Sequence, residues 1–205
     1  MPAAGARRRG RGPRPHKVGC GTKPNRVASA HVGLGATTGG ADAVELVVLA
    51  DTHLQQGIGR LDSRVLEAVD TADAVLHAGD VVSARALDEL RSRVPLLAVA
   101  GNNDHELAGL LPDELVVTIE GVVVALVHDA GPTRGRPTRL ARRFPAASLV
   151  VFGHSHVPLD APGVAGQRLF NPGSATQRRS QPFRSFGRLR LERGQVVERR
   201  IELLV

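Results

Sequence analysis

The chain has 205 residues, 42% of them hydrophobic, which is enough for one domain with a real core. No apolar stretch approaches the ~18 residues of a membrane span, and the single cysteine, Cys20, excludes an intramolecular disulfide. The absence of Trp and Tyr, with only five Phe, argues against nucleic-acid recognition by base stacking.

The net charge of +7 lies in the first 42 residues, which hold eight basic side chains and one acidic side chain. This segment is rich in Gly, Pro and Ala and lacks hydrophobic periodicity, so it cannot bury enough surface to offset its ordering entropy. We therefore expect a disordered basic tail over 1–42 and one folded domain over 43–205. The tail has no apolar run typical of a secretory signal, and we expect a cytoplasmic protein.

Short apolar runs that end in polar residues dominate the first half of the domain. Such runs are typical of strands buried on both faces. Three are predicted, each given with the polar residues that follow it: 44–50 with Asp51 and His53, 74–78 with Asp80, and 95–100 with Asn102. Between these strands, apolar residues at helical spacing predict helices over 61–69 and 83–91, and Ser83 is expected to cap the second helix. This alternation predicts a parallel sheet.

The second half of the domain favours antiparallel strands. The predicted elements are a hairpin of 114–120 and 122–127 ending at His128, a short helix over 137–144, a strand over 148–152 ending at His154 and His156, a strand over 168–170, and a closing hairpin of 183–192 and 195–204. We expect the antiparallel strands at the end to form a second sheet packed against the first.

Seven candidate metal ligands follow five of these strands: Asp51, His53, Asp80, Asn102, His128, His154 and His156. Two carboxylates, four imidazoles and an amide are too many for one tetrahedral ion, but they suit two ions of higher coordination number with a bridging carboxylate. Side chains at i and i+2 of an extended segment point the same way. We therefore expect Asp51 with His53, and His154 with His156, to act as pairs.

Three glycines, Gly79, Gly101 and Gly153, directly precede a candidate ligand. A glycine is expected where a strand must turn sharply and its backbone must pass close to an ion. A lone His after a strand is more often an ordinary core or surface residue, but five such endings in series favour a metal centre.

In order, these motifs resemble those of the calcineurin-like metallophosphoesterases, most closely their small prokaryotic phosphodiesterase branch. They are Asp51-x-His53, Gly79-Asp80, Gly101-Asn102-x-Asp104, His128, Gly153-His154-x-His156 and the later Asn171-Pro172-Gly173-Ser174. The resemblance covers about residues 44–205. It implies an α/β (α+β) fold in which a two-sheet β-sandwich is flanked by helices within a single domain.

The resemblance also implies a dinuclear centre of divalent ions, Mn first, with Fe, Zn or Ni as alternatives. One ion would be held by Asp51, His53, Asp80 and His156. The other would be held by Asp80, Asn102, His128 and His154, which makes Asp80 the bridge. Catalytic roles are implied for Asp80, Asn102, Asn103 and His128, with a metal-bridged hydroxide attacking phosphorus directly.

Two positions depart from the family pattern. Asn103 stands where many members have a His that acts as an acid near the leaving group, and an amide cannot supply a proton at pH 7. We therefore expect slow hydrolysis of esters with poor leaving groups, unless His105 substitutes for the missing acid. Asp129 stands where the branch usually has Gly, and it would either orient His128 or lie in the loop.

Other polar residues are expected to serve the structure. We expect His77 to be a packed, hydrogen-bonded core residue, Asp104 to brace a ligand, and Asn171 and Ser174 to pin a loop beside the site. An arginine cluster after His128 would form a solvated face or hold a substrate phosphate; it comprises Arg134, Arg136, Arg139, Arg142 and Arg143.

The sequence thus predicts a dinuclear metal-dependent phosphodiesterase that acts on a small phosphate ester. The alternatives are a phosphomonoesterase or nuclease of the same fold, and a non-enzymatic scaffold resembling the retromer scaffold subunit. No specific nucleic-acid partner and no membrane partner are expected. The oligomeric state, a homodimer included, is left open.

Overall fold

The computed structural model describes residues 27–31 and 43–205. Its strands are β1 (Val27–His31), β2 (Ala43–Leu49), β3 (Ala74–His77), β4 (Leu96–Ala98), β5 (Glu114–Ile119), β6 (Val122–Val127), β7 (Leu149–Phe152), β8 (Leu159–Pro162), β9 (Arg168–Asn171), β10 (Arg184–Glu192) and β11 (Gln195–Leu204). Its helices are α1 (Ser63–Thr71), α2 (Ala84–Arg91) and α3 (Arg136–Arg143).

Two mixed sheets form, with strand orders β11-β10-β2-β3-β4 and β1-β5-β6-β7-β9-β8. Strands β2, β3 and β4 run parallel, as predicted. The closing hairpin, however, does not build the second sheet: β10 pairs antiparallel with β2, placing Gly187 opposite Val48, and so extends the first sheet. The second sheet comes from the middle of the chain, where β6, β7 and β9 pair in parallel.

One strand lies inside the segment predicted to be a disordered tail. Strand β1 pairs in parallel with β5, with Val27 opposite Glu114. The prediction is wrong for these five residues, because the open edge of β5 offers backbone hydrogen bonds that do not depend on a hydrophobic pattern. The remainder of 1–42 lies outside the described residues.

The two sheets pack face to face between layers of helix. One core cluster lies between the sheets and includes Val48, Leu126 and Phe170. A second lies between the first sheet and helices α1 and α2, and a third between the second sheet and α3. The predicted two-sheet sandwich flanked by helices is therefore confirmed. In the described part of the chain, no helix has the length and apolar character that crossing a membrane requires.

Local sequence signals place the helices of the first layer. Asp62 caps α1 by accepting a hydrogen bond from the Arg64 backbone N–H at 3.1 Å. Ser83 caps α2, as predicted, by accepting from the Ala86 N–H at 3.2 Å. These crossover helices return the chain to the same end of the sheet. The carboxyl ends of β2, β3 and β4 consequently share one edge, beside the ends of β6 and β7.

Candidate metal centre

The backbone turns sharply where the strands end. Five of the seven candidate ligands have positive φ angles: Asp51 (52°), His53 (45°), Asp80 (60°), His154 (68°) and His156 (56°). Non-glycine residues rarely adopt this left-handed region, and where they do the surrounding structure must hold them there. Two backbone hydrogen bonds do so here, from the Asp51 N–H to the Gly79 carbonyl at 3.0 Å and from the His53 N–H to the Asp80 carbonyl at 2.9 Å.

The three glycines lie where another side chain occupies the space of a Cβ atom. A Cβ at Gly101 would collide with the Asp80 carboxylate, and one at Gly79 would lie 2.6 Å from Nδ1 of His128. A Cβ at Gly153 would lie 2.9 Å from Oδ2 of Asp51. At all three positions the backbone therefore passes close to a side chain of another candidate ligand.

Asp51, His53 and His156 form a first ligand group. One potential ligand atom from each lies within 4.8 Å of the others, and Nε2 of His156 is 3.4 Å from Oδ1 of Asp51. Four buried atoms of this group have no hydrogen-bond partner among the described residues: Oδ1 and Oδ2 of Asp51, and Nε2 of His53 and His156. Buried polar atoms in proteins are normally paired, so this convergence of lone pairs fits a bound cation.

Asp51, Asp80 and His128 form a second ligand group, again within 4.8 Å of one another. Asn102 joins it, with Oδ1 lying 3.0 Å from Nε2 of His128 and 2.9 Å from Nδ1 of His154. All seven predicted ligands thus meet at one edge of the sandwich. His156 lies in the first group and His154 lies beside Asn102, which is the division that the family resemblance implied. The expectation from spacing that the two side chains point the same way fails, because the backbone of both residues is left-handed.

Two carboxylates stand between the groups. Asp51 belongs to both, whereas the sequence comparison with the family implied a bridge at Asp80 alone. Oδ2 of Asp80 also faces both sides, at 3.7 Å from Nε2 of His53 and 3.5 Å from Nε2 of His128. Asn103 donates two hydrogen bonds to the Asp80 carboxylate. Its backbone N–H donates to Oδ1 at 2.8 Å, and its side-chain Nδ2 donates to Oδ2 at 2.6 Å.

The two carboxylates differ in pKa because only Asp80 is hydrogen-bonded by Asn103. Burial, reinforced by the charge of Asp80, raises the pKa of Asp51 to about 8. Burial would also raise the pKa of Asp80, but the Asn103 hydrogen bonds, with His128 and His53, bring it below its ordinary value. Burial lowers the pKa of His53, and it lowers the pKa of His156 to about 4. Neutral imidazoles are the form in which histidine binds metals.

Backbone carbonyls fix the orientation of two of the histidine rings. Nδ1 of His128 lies 2.8 Å from the Ala78 carbonyl, and Nδ1 of His156 lies 3.1 Å from the Gln177 carbonyl. A carbonyl can only accept, so each Nδ1 carries the proton. In the neutral ring of His156, the lone pair of Nε2 therefore faces the first ligand group. Such partners commonly support metal-binding histidines.

The residues expected to support the site do so. Oδ2 of Asp104 accepts from the Asp80 and Gly101 N–H groups at 2.9 and 2.7 Å, and Oδ1 accepts from the Val82 N–H at 2.7 Å. The Asn171 side chain donates to the Gly153 carbonyl at 3.0 Å. His77 is fully buried, and its Nε2 lies 2.9 Å from the Thr52 hydroxyl, so it is a core residue.

The residues that follow His128 shape the loop and α3. Oδ1 of Asp129 accepts from the Gly131 N–H at 2.6 Å, which assigns Asp129 to a turn and leaves the Ala78 carbonyl to orient His128. Three of the predicted arginines are also engaged. Arg136 donates to the Gly131 carbonyl, Arg139 to the Ala130 and Pro132 carbonyls, and Arg143 to Glu114.

A polar cavity of about 390 Å³ adjoins the first ligand group. It is lined by His53, Gln55, Val82, Ser83, Asn103, His105 and Glu106. His105 is exposed and begins a short 3-10 turn. This cavity offers space beside the candidate centre for part of a substrate.

One functional candidate is absent from the sequence predictions. Arg179 lies in the loop after β9, and its positive charge acts on the pKa values of Asp51, His53 and His156, although burial is the larger influence on each. The motif Asn171-Pro172-Gly173-Ser174 ends five residues earlier. The segment around Arg179 is polar and has no hydrophobic periodicity. Nothing in the sequence therefore indicated that this arginine lies near the site.

Comparison with known proteins agrees with the geometry. The model of the calcineurin-like phosphoesterase superfamily domain matches residues 44–194. A "Probable metallophosphoesterase" of Methanothermobacter thermautotrophicus is 31% identical over 131 residues, which cover 63% of this chain and 76% of the relative. Another, from Methanocaldococcus jannaschii, is 30% identical over 150 residues, or 71% of this chain and 74% of the relative.

Solved structures share the fold. Vps29 complexed with Zn²⁺, from Entamoeba histolytica, aligns with a TM-score of 0.63 at 22% identity, covering 78% of this chain and 98% of that one. At this identity the likeness shows the fold alone. The family model matches well over half of the chain, from β2 to the turn after β10. The chain therefore belongs to the calcineurin-like phosphoesterase superfamily.

Proposed function

We propose that this protein is a dinuclear metal-dependent phosphodiesterase. One observation carries the proposal: four buried ligand atoms of Asp51, His53 and His156 converge without hydrogen-bond partners in the described part of the chain. Leaving such groups unpaired costs free energy that a bound cation would recover. Membership of the superfamily gives the reaction class, the hydrolysis of phosphoric esters.

The donor set supports two ions. The first ligand group supplies Asp51, His53 and His156, and the second supplies Asp80 and His128 together with Asn102 and His154. When bound, two divalent cations generate a nucleophile from water near neutral pH and neutralise phosphoryl oxygens. Nitrogen and oxygen ligands of this kind suit Mn, and ligand identity also permits Fe, Zn or Ni.

The chain's own groups position the reactants. Asn103 holds both oxygens of Asp80 by hydrogen bonds and so keeps this carboxylate charged and oriented. Asn102, Asn103 and His154 are exposed, so a substrate can reach the centre from solvent on this side. The adjoining cavity, at about 390 Å³, is sized for a small leaving group.

The missing acid bears on the leaving group. Because the amide of Asn103 cannot donate a proton, the reaction favours esters whose leaving group departs without one, such as aryl esters. The preference for a diester rests on the resemblance to the phosphodiesterase branch. The proposal also retains the sequence-based expectations of a small phosphate ester as substrate, a cytoplasmic location, and no membrane or specific nucleic-acid partner.

A substrate panel tests this function. Protein stripped with EDTA and reloaded with Mn is assayed on bis(4-nitrophenyl) phosphate, 4-nitrophenyl phosphate and duplex DNA. We expect the highest kcat/KM on the diester, and a loss of at least about 100-fold in Asp80→Asn. Asp88→Asn, an exposed position on α2, is the matched control and should retain wild-type activity. Preferred cleavage of the monoester or of DNA would replace the diester assignment.

A non-enzymatic scaffold is the second candidate, because Vps29 shares this fold. Vps29 was itself solved with Zn²⁺, so the unpaired ligand atoms of Asp51 do not by themselves separate the two functions, whereas hydrolysis of an ester does. The two functions separate in one experiment: a protein that binds no stoichiometric metal and cleaves no activated ester with Mn present is a scaffold.

A further inference from the structure

Strand β11 leaves a long, open edge on the first sheet. Among the described residues its only strand neighbour is β10, and it is ten residues long. The opposite edge strand, β4, has three residues, and the edge strand β8 of the second sheet has four and ends in Pro162. Proteins commonly use short edge strands and prolines to stop a sheet from pairing with another chain, and β11 carries neither device.

A bulge near the start of β11 leaves a regular segment over 198–204. The register against β10 shifts between Arg190 and Leu191, and each residue from Glu198 to Leu204 has one partner on β10. Side chains of this regular segment therefore alternate between the two faces of the sheet.

Contacts identify which face each side chain occupies. Glu198, Arg200 and Glu202 line one cavity together with the end of α1, and Arg200 forms an ion pair with Glu198, so these three share the outer face. Arg199 forms an ion pair with strand β8 of the second sheet, and Ile201 packs against the core cluster between the sheets. The outer face of the segment is therefore charged, and its inner face centres on an apolar side chain.

Two side chains of the segment are left without a matching partner. Glu202 is half-buried, and its carboxylate has no ion-pair partner in the part of the chain that the structure describes. Leu203 is 49% exposed, although it follows Ile201 on the inner face. On an open edge strand, both groups gain cross-strand neighbours if a second strand lies alongside.

The segment is complementary to itself in one register. Antiparallel pairing about a twofold axis through Ile201 places Arg200 of each copy opposite Glu202 of the other, which gives two opposite-charge pairs on the outer face. On the inner face, Ile201 meets itself and the exposed Leu203 meets the aliphatic stem of Arg199. A shift of two residues in either direction places Arg200 opposite itself or Glu202 opposite itself, and like charges directly opposite destabilise a sheet.

We propose that β11 pairs antiparallel with β11 of a second copy of this chain, centred on Ile201, and so joins two copies into a homodimer. The contact uses the same surface on both copies and therefore closes as a dimer, without leaving a further β11 edge to extend. Five strands from each copy form one continuous sheet across the axis.

The pairing leaves both candidate metal centres accessible. Strands β11 and β2 are each antiparallel to β10, so β11 runs in the same direction as β2, toward the end of the sheet that carries the centre. The second copy runs in the opposite direction, which puts the two centres at opposite ends of the joined sheet. The dimer is therefore independent of the proposed hydrolysis, and activity per chain should not change when it dissociates.

Charge reversal across the axis tests the contact. Sedimentation equilibrium of the full chain over a concentration series should give a monomer–dimer Kd on the order of micromolar, because an edge contact is small. Arg200→Glu and Glu202→Arg each place two like-charge pairs across the axis and should raise Kd at least about tenfold. The double variant restores opposite charges with the signs exchanged, and its Kd should return to within about threefold of wild type. Asp88→Arg changes the net charge as Glu202→Arg does, on exposed α2, and should change Kd less than about twofold.

Three results would overturn the proposal. A wild-type chain that stays monomeric at every concentration leaves the edge to another segment or partner. A dimer whose Kd responds to Asp88→Arg as strongly as to Glu202→Arg associates through net charge alone. A double variant as weak as the single variants excludes the register centred on Ile201, provided that urea unfolding shows it to be as stable as wild type.

Discussion

Replacing Asp104 by Asn tests how the site is held together without touching a ligand. The buried carboxylate accepts three backbone N–H groups, those of Asp80 and Gly101 at Oδ2 and that of Val82 at Oδ1. An amide presents oxygen on one side only, so at least one buried N–H faces an NH₂ group. Val82, a β-branched residue at a φ of 79°, also loses a charged partner that holds its unusual backbone.

The cost follows from these contacts. One buried donor without an acceptor costs about 1–3 kcal/mol, and the remaining bonds lose their charge assistance. We expect Asp104→Asn to lower the free energy of unfolding by about 2–4 kcal/mol in urea titrations with EDTA present. Because Asp104 holds the backbone of Asp80 and Gly101, Mn affinity measured by calorimetry should fall about 10- to 100-fold.

Asp88→Asn is the matched control, because Asp88 is exposed and lies 3.9 Å from Arg91. It should change the free energy of unfolding by less than about 0.5 kcal/mol and leave Mn affinity unaltered. The reasoning is refuted if Asp104→Asn behaves like this control, or if it loses stability while its Mn affinity stays at the wild-type level.

Three further changes probe other features of the site. In Gly153→Ala, a Cβ 2.8 Å from that of Ala50 should lower both stability and Mn affinity, whereas Gly59→Ala, which meets nothing within 4 Å, should not; equal effects in calorimetry and urea unfolding would contradict the packing argument. Asn103→His should raise kcat/KM for an alkyl ester at least about tenfold relative to an aryl ester, and an unchanged ratio would exclude a missing acid as the cause of the preference. Burial lowers the pKa of His77 to about 3. His77 should therefore contribute a decrease in the free energy of unfolding as pH falls from about 6.5 toward 3, by up to about 1.4 kcal/mol per pH unit, and the raised pKa of Asp51 opposes this contribution over part of that range. In EDTA, the difference in unfolding free energy between wild type and His77→Gln should follow the His77 contribution, whereas His105→Gln should leave the pH profile unchanged.

The sequence predicted most of the fold because its strands are buried apolar runs with abrupt polar endings. The run that ends at Asp51 became β2, and Ser83 capped the helix that it was expected to cap. The closing hairpin was assigned to the wrong sheet because strand periodicity identifies a strand and its buried face but not its neighbour. Only the tertiary packing brings β10 alongside β2.

The site was predicted in its members but not in its geometry. Strand endings identified all seven residues that meet, since the carboxyl ends of parallel strands share an edge. The division of His154 from His156 followed from the family resemblance but not from strand spacing, because it depends on left-handed backbone at both residues. The position of Arg179 depends on hydrogen bonds from Thr176 and to Gln177, which no pattern in the sequence records.

The central claim is that separate strand ends hold a pair of ions, and anomalous diffraction tests it most directly. Crystals grown with Mn, measured at the Mn absorption edge, should show two peaks per chain, one beside Asp51, His53 and His156 and one beside Asp80 and His128. An Asp80→Ala crystal treated identically should lose the peak at the second group and weaken the first. A wild-type crystal with no anomalous peak at either group, at saturating Mn, would contradict the account.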